Sequence, residues 1–294
     1  MTTIVVGVDG SEHGAVAVRW AAREAQLRDA ELVAVLVWDL FNQRHADGSQ
    51  RFDPEYDDSH ADRALLAALE DALGAEAAAS VTRRAVCDVP AQGLLEAAKD
   101  ADLLVVGARG LGGFRGLLLG SVSQQCLHHA SGPIAIVREA SEASTGERIV
   151  VGVDGSASSR AALRWSVVEG GLRKATVEAV HAWDVPVVYG PVVGTFPYDT
   201  SDIERGAREL LDEVVDEAVA SAGPDAGDVT VERVVSPGGA ATTLLGIAEG
   251  ADLVVIGRRG VGGFERLLLG SVSENIARHA PCPVVVMPPE RAGR

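Results

Sequence analysis

The feature that most constrains this chain is a repeat that runs its whole length. The segment IVVGVDGS at 4–11 returns unchanged at 149–156, and ARGLGGFRGLLLGSVS at 108–123 returns as RRGVGGFERLLLGSVS at 258–273. The turns match while the helical segments between them differ, so the glycine-rich turns are the constrained part of each half. The period is far too long for a solenoid. The 294 residues therefore form two domains, each large enough to bury its own core.

Each half alternates short apolar runs with longer stretches of helical periodicity, a pattern typical of a parallel sheet covered by helices. We predict two tandem α/β domains, each a doubly wound, five-stranded parallel sheet, over 1–140 and 148–294. A polar linker at 141–147, within EASEASTGE, joins them. The predicted strands are 4–8, 32–38, 81–87, 103–106 and 134–137, then 149–153, 176–183, 229–235, 253–256 and 284–287. The residues predicted to face the sheet from the first helix are Val16, Trp20, Ala21 and Leu27.

Leucines at helical spacing predict a second helix near 61–78 and its counterpart near 203–220. The segments 40–59 and 185–201, which follow the second strand of each half, lack periodicity and are predicted to be long loops. They lie beside the edge where open α/β sheets bind ligands, so each is either a lid or a variable surface loop. The last strand of each half is short and wholly apolar. Its exposed edge needs a partner, and the simplest is the equivalent strand of the other half or of another chain.

The charge balance argues against polyanionic partners. The net charge is −16 and the isoelectric point is about 4.8, so the general field repels nucleic acid and anionic membranes. A phosphate site in such a chain has to rely on local backbone dipoles, nearby arginines and a divalent cation. The arginines in the glycine-rich loops are either this positive charge or plain solvated residues; they are Arg109, Arg115, Arg258, Arg259 and Arg266.

Three cysteines, without paired spacing, indicate reduced thiols and a cytoplasmic protein. Cys87 and Cys126 are interpreted as small core residues, and Cys282 as a packing residue between two prolines. The chain enters a strand directly after MTT, so we expect no signal peptide. No apolar run reaches the roughly 18–20 residues of a membrane span, so no membrane insertion is expected.

The glycine-rich loops carry the strongest functional signal: glycine, two residues, glycine, nine residues, then glycine-serine. Gly107, Gly110 and Gly120-Ser121 meet this pattern, and Gly257, Gly260 and Gly270-Ser271 meet it again. Each loop begins where the fourth strand ends and closes where a helix begins. Phosphate would lie there, against backbone amides and the positive end of a helix.

Each element of the loops also has a purely structural interpretation. Ser121 with Gln124, and Ser271 with Glu274, form capping boxes that would satisfy helix amides. The inner glycines, which are Gly112, Gly113, Gly262 and Gly263, would serve only a tight turn. The presence of two complete loops favours phosphate binding over these alternatives.

Asp9 and Asp154 end the first strand of each half, beside the loop if the sheet is doubly wound. An acid at this position accepts a hydrogen bond from a ribose hydroxyl or holds a cation. The alternative is an N-cap or turn aspartate before the first helix.

With these residues in place, the whole chain resembles a tandem universal stress protein of the actinobacterial type. The resemblance is to the ATP-binding subclass of that family. It implies a Rossmann-like fold of the adenine nucleotide alpha hydrolase type and the binding of ATP with magnesium. It also implies a role in stress or dormancy adaptation, without a known small-molecule reaction. A homodimer of the tandem chain is the expected assembly.

Carried over by motif, the resemblance implies one adenine-nucleotide site per half. Gly7 and Asp9, with Gly152 and Asp154, resemble the first-strand contacts, and Val37 and Ala182 resemble the adenine-side position on the second strand. The residues that resemble the first phosphate and ribose loop are Gly107, Ala108, Arg109, Gly110, Leu111, Gly112, Gly113, Gly120, Ser121 and Val122. Those that resemble the second are Gly257, Arg258, Arg259, Gly260, Val261, Gly262, Gly263, Gly270, Ser271 and Val272.

Catalytic residues are not evident. A P-loop signature is absent from the sequence, and no nucleophile, base or transferase lysine stands in the pattern. His129 and His279 recur near a helix carboxyl end, where histidine is favoured. His128 corresponds to Arg278 in the second repeat. His60 and His181 lack clustered metal partners. We therefore predict no catalytic and no protein-held metal site. An ATP-binding signalling protein, a nucleotide-free interaction module and a weak ATPase or phosphoryl-transfer enzyme stay open, in that order.

Overall fold

The computed structural model describes residues 2–111, 118–138, 147–184, 200–261 and 268–289. The chain divides into two compact units. One consists of Met1–Ala143 with Ala277–Pro288, and the other of Ser144–Ile276 with Pro289–Arg294. No helix in the described part of the chain is long and apolar enough to cross a membrane.

The first unit alternates strands and helices, as the sequence pattern predicts. Its strands are β1 (Thr3–Gly7), β2 (Glu31–Trp38), β3 (Thr82–Cys87), β4 (Leu103–Gly107), β5 (Ile134–Val137) and the chain's last strand, β10 (Val284–Met287). Its helices are α1 (Glu12–Arg28), α2 (Asp58–Leu73), α3 (Ala75–Ala79), α4 (Pro90–Ala97) and α5 (Ser121–His129).

The strand order β3-β2-β1-β4-β5 is parallel throughout. The chain runs outward from β1 to β3 on one side and from β4 to β5 on the other. The boundary between β1 and β4 is therefore the switch point at which open α/β sheets form a ligand crevice. The predicted α/β fold with a parallel sheet is confirmed.

β10 covers the outer edge of β5. The two strands pair antiparallel, with Val284 opposite Ile136 and Val286 opposite Ile134. Both strands are buried along their whole length. The apolar edge expected at the end of the first half is thus covered by the equivalent strand of the second half, and this pairing prediction is confirmed.

The second unit repeats the arrangement with four parallel strands in the order β9-β6-β7-β8. The strands are β6 (Arg148–Gly152), β7 (Thr176–Trp183), β8 (Val231–Pro237) and β9 (Leu253–Gly257). The helices are α6 (Ala157–Arg173), α7 (Ser201–Ala222), α8 (Ala240–Ile247) and α9 (Ser271–His279), with a 3-10 turn at Gly223–Ala226.

Two local predictions about helices were wrong. The helix expected at 61–78 is two helices, because Gly74 between α2 and α3 adopts a φ of 82°, a left-handed conformation that other residues avoid. In α1 only Ala21 of the predicted face is buried, whereas Leu27 is exposed. Small residues such as Ala17 form the true inner face, since they let the helix approach the sheet closely.

All three cysteines lie in the described residues and are thiols. Cys126 and Cys282 are buried, as expected, and burial raises the pKa of the Cys126 thiol to about 12. Cys87 is exposed, so its interpretation as a core residue was wrong. It is the last residue of β3, which lies at the edge of the sheet.

Candidate functional site

A cavity opens at the carboxyl ends of the parallel strands in each unit. The first has a volume of about 480 Å³ and the second about 440 Å³. Both fall within the range of roughly 300–1,000 Å³ that small-molecule sites occupy. Gly7 and Gly107, the last residues of β1 and β4, line the first cavity, which places it at the switch point of the sheet. Gly152 and Gly257 have the same positions in the second.

The predicted site residues converge on these cavities. Those that line the first are Gly7, Asp9, Val37, Gly107, Arg109, Gly110, Leu111, Gly120, Ser121 and Val122. Those that line the second are Gly152, Asp154, Ala182, Gly257, Arg259, Gly260, Val261, Gly270, Ser271 and Val272. The predicted residues that lie outside the described part of the chain are Gly112, Gly113, Gly262 and Gly263, and so do the loop arginines Arg115 and Arg266.

Ala108 and Arg258, also predicted as contacts, do not line the cavities but close the base of each loop. The Ala108 carbonyl accepts from the amide of Gly120 at 2.8 Å, and the Arg258 carbonyl accepts from Gly270 at 2.9 Å. The Ala108 amide in turn donates to the Val137 carbonyl of β5 at 2.7 Å. The two ends of each glycine loop are therefore held one hydrogen bond apart.

A serine one turn into the following helix makes a second tie. The Ser123 hydroxyl donates to the Gly107 carbonyl at 2.6 Å, and the Ser273 hydroxyl donates to the Gly257 carbonyl at the same distance. Both serines are buried and line their cavities. Sequence reasoning missed them, although the repeated GSVS carried the signal.

Asp9 joins the first-strand turn to the glycine loop. One carboxylate oxygen accepts from the Ser11 amide at 2.9 Å and from its hydroxyl at 2.6 Å. The other oxygen accepts from the Leu111 amide at 3.1 Å, across 102 positions of sequence. Ser11, not Asp9, is the N-cap of α1, because its hydroxyl accepts from the Gly14 amide. The N-cap alternative for Asp9 was wrong, and the turn alternative is confirmed.

Asp154 has the same role in the second unit. Its carboxylate oxygens accept from the Ser156 amide and from the Val261 amide, each at 3.0 Å. Burial by itself would raise the pKa of Asp154, but hydrogen bonds from Ser156, Ser159 and Val261 outweigh it and leave the pKa below its ordinary value. The group is therefore a carboxylate at neutral pH. It retains lone pairs that can accept from a further hydroxyl.

The contact with the aspartate explains the second glycine of the pattern. A Cβ at Gly110 would lie 2.3 Å from an Asp9 oxygen, and a Cβ at Gly260 would lie 2.2 Å from an Asp154 oxygen. Gly120 differs, because its φ is −74° and a Cβ there would meet nothing closer than 3.5 Å. The protein's own packing therefore requires Gly110 and Gly260, whereas Gly120 borders open cavity.

The N-terminus of α5 faces the first cavity without a side-chain cap. The helix begins at Ser121 with Gly120 as its N-cap residue, and no side chain makes the cap hydrogen bond. The predicted capping box of Ser121 and Gln124 was therefore wrong. First-turn amides of a helix have no intrahelical acceptor, so those of Ser121 and Val122 are suited to an anion. Helix α9 begins at the corresponding Ser271.

An apolar wall faces the loop in both cavities, and sequence reasoning missed most of it. Side chains from β2, β4 and α4 form it in the first unit; they are Val35, Val37, Pro90, Leu94 and Val106. The counterparts in the second unit are Val180, Ala182, Ala240, Leu244 and Ile256. Such a wall suits the flat face of a heterocyclic base.

The long loop after β2 borders the first cavity with Asn42 and Gln50. Short bridges pair Asp39 with Asn42 and Arg44 with Gln50, so the loop has its own fold. The Arg44 guanidinium donates to the Gly10 carbonyl at 2.9 Å and ties the loop to the first-strand turn. The loop thus borders the cavity, and its role as a lid stays a prediction; the equivalent segment at 185–199 lies outside the described residues.

The described residues contain no group of three His, Cys, Asp or Glu side chains placed to hold a metal ion. His129 and His279 lie in the last turns of α5 and α9, as predicted. His60 lies 2.7 Å from an Asp57 oxygen, and the His181 ring lies 2.7 Å from the Val153 carbonyl. Among the described residues, the cationic side chains that line the cavities are Arg109 in the first and Arg259 in the second.

Comparison with known proteins agrees with this geometry. A family model described as the universal stress protein family matches residues 1–138 and again 146–288. A universal stress protein of Mycolicibacterium smegmatis is 35% identical, over 97% of this chain and 97% of that protein. The chain belongs to the universal stress protein family. It is a tandem member, since each half matches separately.

Two further similarities extend this result. A universal stress protein of Mycobacterium tuberculosis is 33% identical over 96% of this chain and 95% of that protein. The crystal structure of a universal stress protein from Archaeoglobus fulgidus covers 98% of both chains with a TM-score of 0.65 and 19% identity. At that identity the structural likeness shows the fold alone.

Proposed function

We propose that this universal stress protein binds one adenine nucleotide in each half, with ATP and magnesium as the ligand pair, and that the bound state serves stress or dormancy adaptation. The observation that carries the proposal is the duplicated site. Two cavities of similar size have the same aspartate-to-loop hydrogen bond, the same closed loop base and the same serine tie. A feature built twice in one chain with the same bonds is suited to the same ligand.

Each part of the cavity suits one part of the nucleotide. The phosphates would lie against the glycine loop and the first amides of α5 or α9, with Arg109 or Arg259 at the edge. Asp9 and Asp154 would accept from a ribose hydroxyl with their remaining lone pairs. The base would lie on the apolar wall near Val37 or Ala182.

Magnesium would be held mainly by the nucleotide itself. Both oxygens of Asp9 already accept hydrogen bonds from backbone amides, and so do both oxygens of Asp154. Mg²⁺ in nucleotide sites is bound largely through phosphates and water, with one or two carboxylates. The donor set fits such an ion, which would neutralise charge on the triphosphate in a chain of net charge −16.

We also propose that the protein acts by binding rather than by catalysis, in the cytoplasm. Two polar side chains that line the first cavity are already bonded to backbone: Ser123 to the Gly107 carbonyl, and Asp9 to the Leu111 amide. Side chains used in this way are poor general bases or nucleophiles.

A homodimer of the tandem chain is a separate proposal, for which light scattering should give twice the chain mass of 30.5 kDa.

Isothermal titration calorimetry of the full chain with ATP and magnesium tests the main proposal. We expect a stoichiometry approaching two ATP per chain, because both cavities have the full set of bonds. A stoichiometry of one would restrict the proposal to a single half. Absence of binding, together with no nucleotide released from freshly purified protein in mass spectrometry, would favour a nucleotide-free interaction module instead. Steady-state phosphate release tests the weak ATPase.

A further inference from the structure

The described residues that line the two cavities differ in their carboxamides. The first is bordered by the side-chain carboxamides of Asn42 and Gln50. No carboxamide is among the described residues that line the second cavity. The corresponding segment of the sequence, VPVVYGPVVGTFPYD at 185–199, contains neither Asn nor Gln. The linings differ as well on the first helix of each half, where Gly14 in the first cavity corresponds to Ser159 in the second.

The Asn42 carboxamide makes two hydrogen bonds at this position. Its Nδ2 donates to the Val37 carbonyl at 3.4 Å, and its Oδ1 accepts from Gln50 Nε2 at 3.2 Å. A carboxamide has two N–H donors and two acceptor lone pairs. After these two bonds, Asn42 keeps one N–H and one lone pair, and the bonds determine which end of the group is the donor.

The loop that carries Asn42 is anchored independently of that side chain. The buried Gln43 carboxamide accepts from the Asp53 amide at 2.6 Å and donates to the Asp53 carbonyl at 3.1 Å. The Tyr56 ring packs against Trp38, with ring centroids 5.1 Å apart, and is itself buried. The Asn42 amide is thus presented to the cavity by a loop whose fold rests on other residues.

We propose that Asn42, oriented by Gln50, is the residue that selects the base in the first cavity, and that the second cavity is less selective. The proposal rests on nucleotide binding as proposed above. An adjacent donor and acceptor match the amino group and neighbouring ring nitrogen of adenine, which is the pairing that Asn and Gln form with adenine edges. Guanine presents two acceptors at the corresponding N7 and O6 positions, and a carboxamide of fixed orientation leaves one of them unpaired.

Photolabelling of the full chain with 2-azido-ATP gives a reading for each half, because labelled peptides from residues 1–138 and 147–289 are quantified separately. Unlabelled ATP and GTP compete for each site. In the wild-type protein we expect the affinity for GTP in the first half to be about fivefold or more below that for ATP, since a bidentate pair of this kind gives about 1–3 kcal/mol of discrimination. The difference in the second half should be smaller.

Asn42→Leu has a similar volume and lacks the donor and acceptor. It should bring the ATP-to-GTP ratio of the first half close to one and leave the second half unchanged. Gln43→Leu is the control, because it removes a carboxamide of the same loop that bonds only to backbone. If this change only loosens the loop, it should weaken the binding of ATP and of GTP in the first half equally and preserve the ATP-to-GTP ratio.

The outcomes separate the two proposals. An unchanged ratio in Asn42→Leu, with displaceable label still present in the first half, overturns base selection by Asn42 and leaves nucleotide binding intact. An equal loss of selectivity in Gln43→Leu also overturns it, because loop folding would then be responsible. No displaceable label in either half of the wild-type protein would instead contradict nucleotide binding itself.

Discussion

At the scale of single residues, the aspartate and the glycine opposite it form one unit in each half. A carboxylate that accepts a hydrogen bond from an amide of the glycine loop needs the loop backbone within hydrogen-bonding distance. A side chain at the second glycine would occupy the space that the carboxylate oxygen fills. The aspartate therefore restricts the residue opposite it to glycine, 101 positions away between Asp9 and Gly110 and 106 between Asp154 and Gly260.

Gly260→Ala tests this unit. Its Cβ would lie 2.2 Å from the Asp154 oxygen, so the carboxylate has to move and lose the Val261 amide. We expect the second nucleotide site to weaken by about tenfold or more, as loss of a charged hydrogen bond implies. Calorimetry with ATP measures it. Gly246→Ala in α8 is the matched control, since a Cβ there meets nothing within 4 Å; equal loss in that variant would contradict the role of the pair.

Asp154→Asn tests the charge of the same residue. The folded protein lowers the pKa of Asp154 below its ordinary 3.8, so the carboxylate contributes stability above that pH and loses it as the pH falls through the folded value. We expect Asp154→Asn to lower the free energy of unfolding by on the order of 1–3 kcal/mol near neutral pH. The deficit should shrink below about pH 4. Urea unfolding across this range measures it, and a deficit independent of pH would assign the effect to shape.

At the scale of elements, the strands were predictable to within two residues, because most of them are short apolar runs bounded by turn residues. The strands 134–137, 176–183 and 284–287 agree with the structure at both ends. Helix interiors were less predictable. Gly74 breaks a helix that its leucine spacing continues, and the buried face of α1 consists mostly of small residues rather than its largest apolar ones. Periodicity reports which residues are apolar, not how closely two elements approach.

Some residues of the candidate site were predictable from the sequence and others were not. The glycines and aspartates were predictable because a loop repeated within one chain marks positions where backbone geometry is restricted. Leu94 and Asn42 were not, since each reaches the cavity from an element whose position depends on the tertiary fold. Arg138 is a further example. It follows β5, and its guanidinium donates to the carbonyls of Arg278 at 2.8 Å and Ala280 at 3.2 Å, at the carboxyl end of α9.

At the scale of the whole molecule, the last strand of the second repeat belongs by its contacts to the first unit. β10 is covalently continuous with the second half and pairs with β5 of the first. Without β10, the strand edge at 134–137 would present unpaired backbone groups and apolar side chains to solvent or to other chains. Stability of the first unit therefore depends on the carboxyl end of the chain.

Val286→Lys tests this dependence. Val286 is fully buried opposite Ile134, so the lysine either buries a charge or expels β10 from its place beside β5. We expect the thermal unfolding of the chain to separate into two transitions in scanning calorimetry, together with aggregation in size-exclusion chromatography, because the opened β5 edge can pair with another molecule. Val286→Ala is the control: it loses packing without adding charge, and should lower the transition temperature without splitting it. A single transition and normal solubility in Val286→Lys would show that β5 keeps its edge covered without an intact β10.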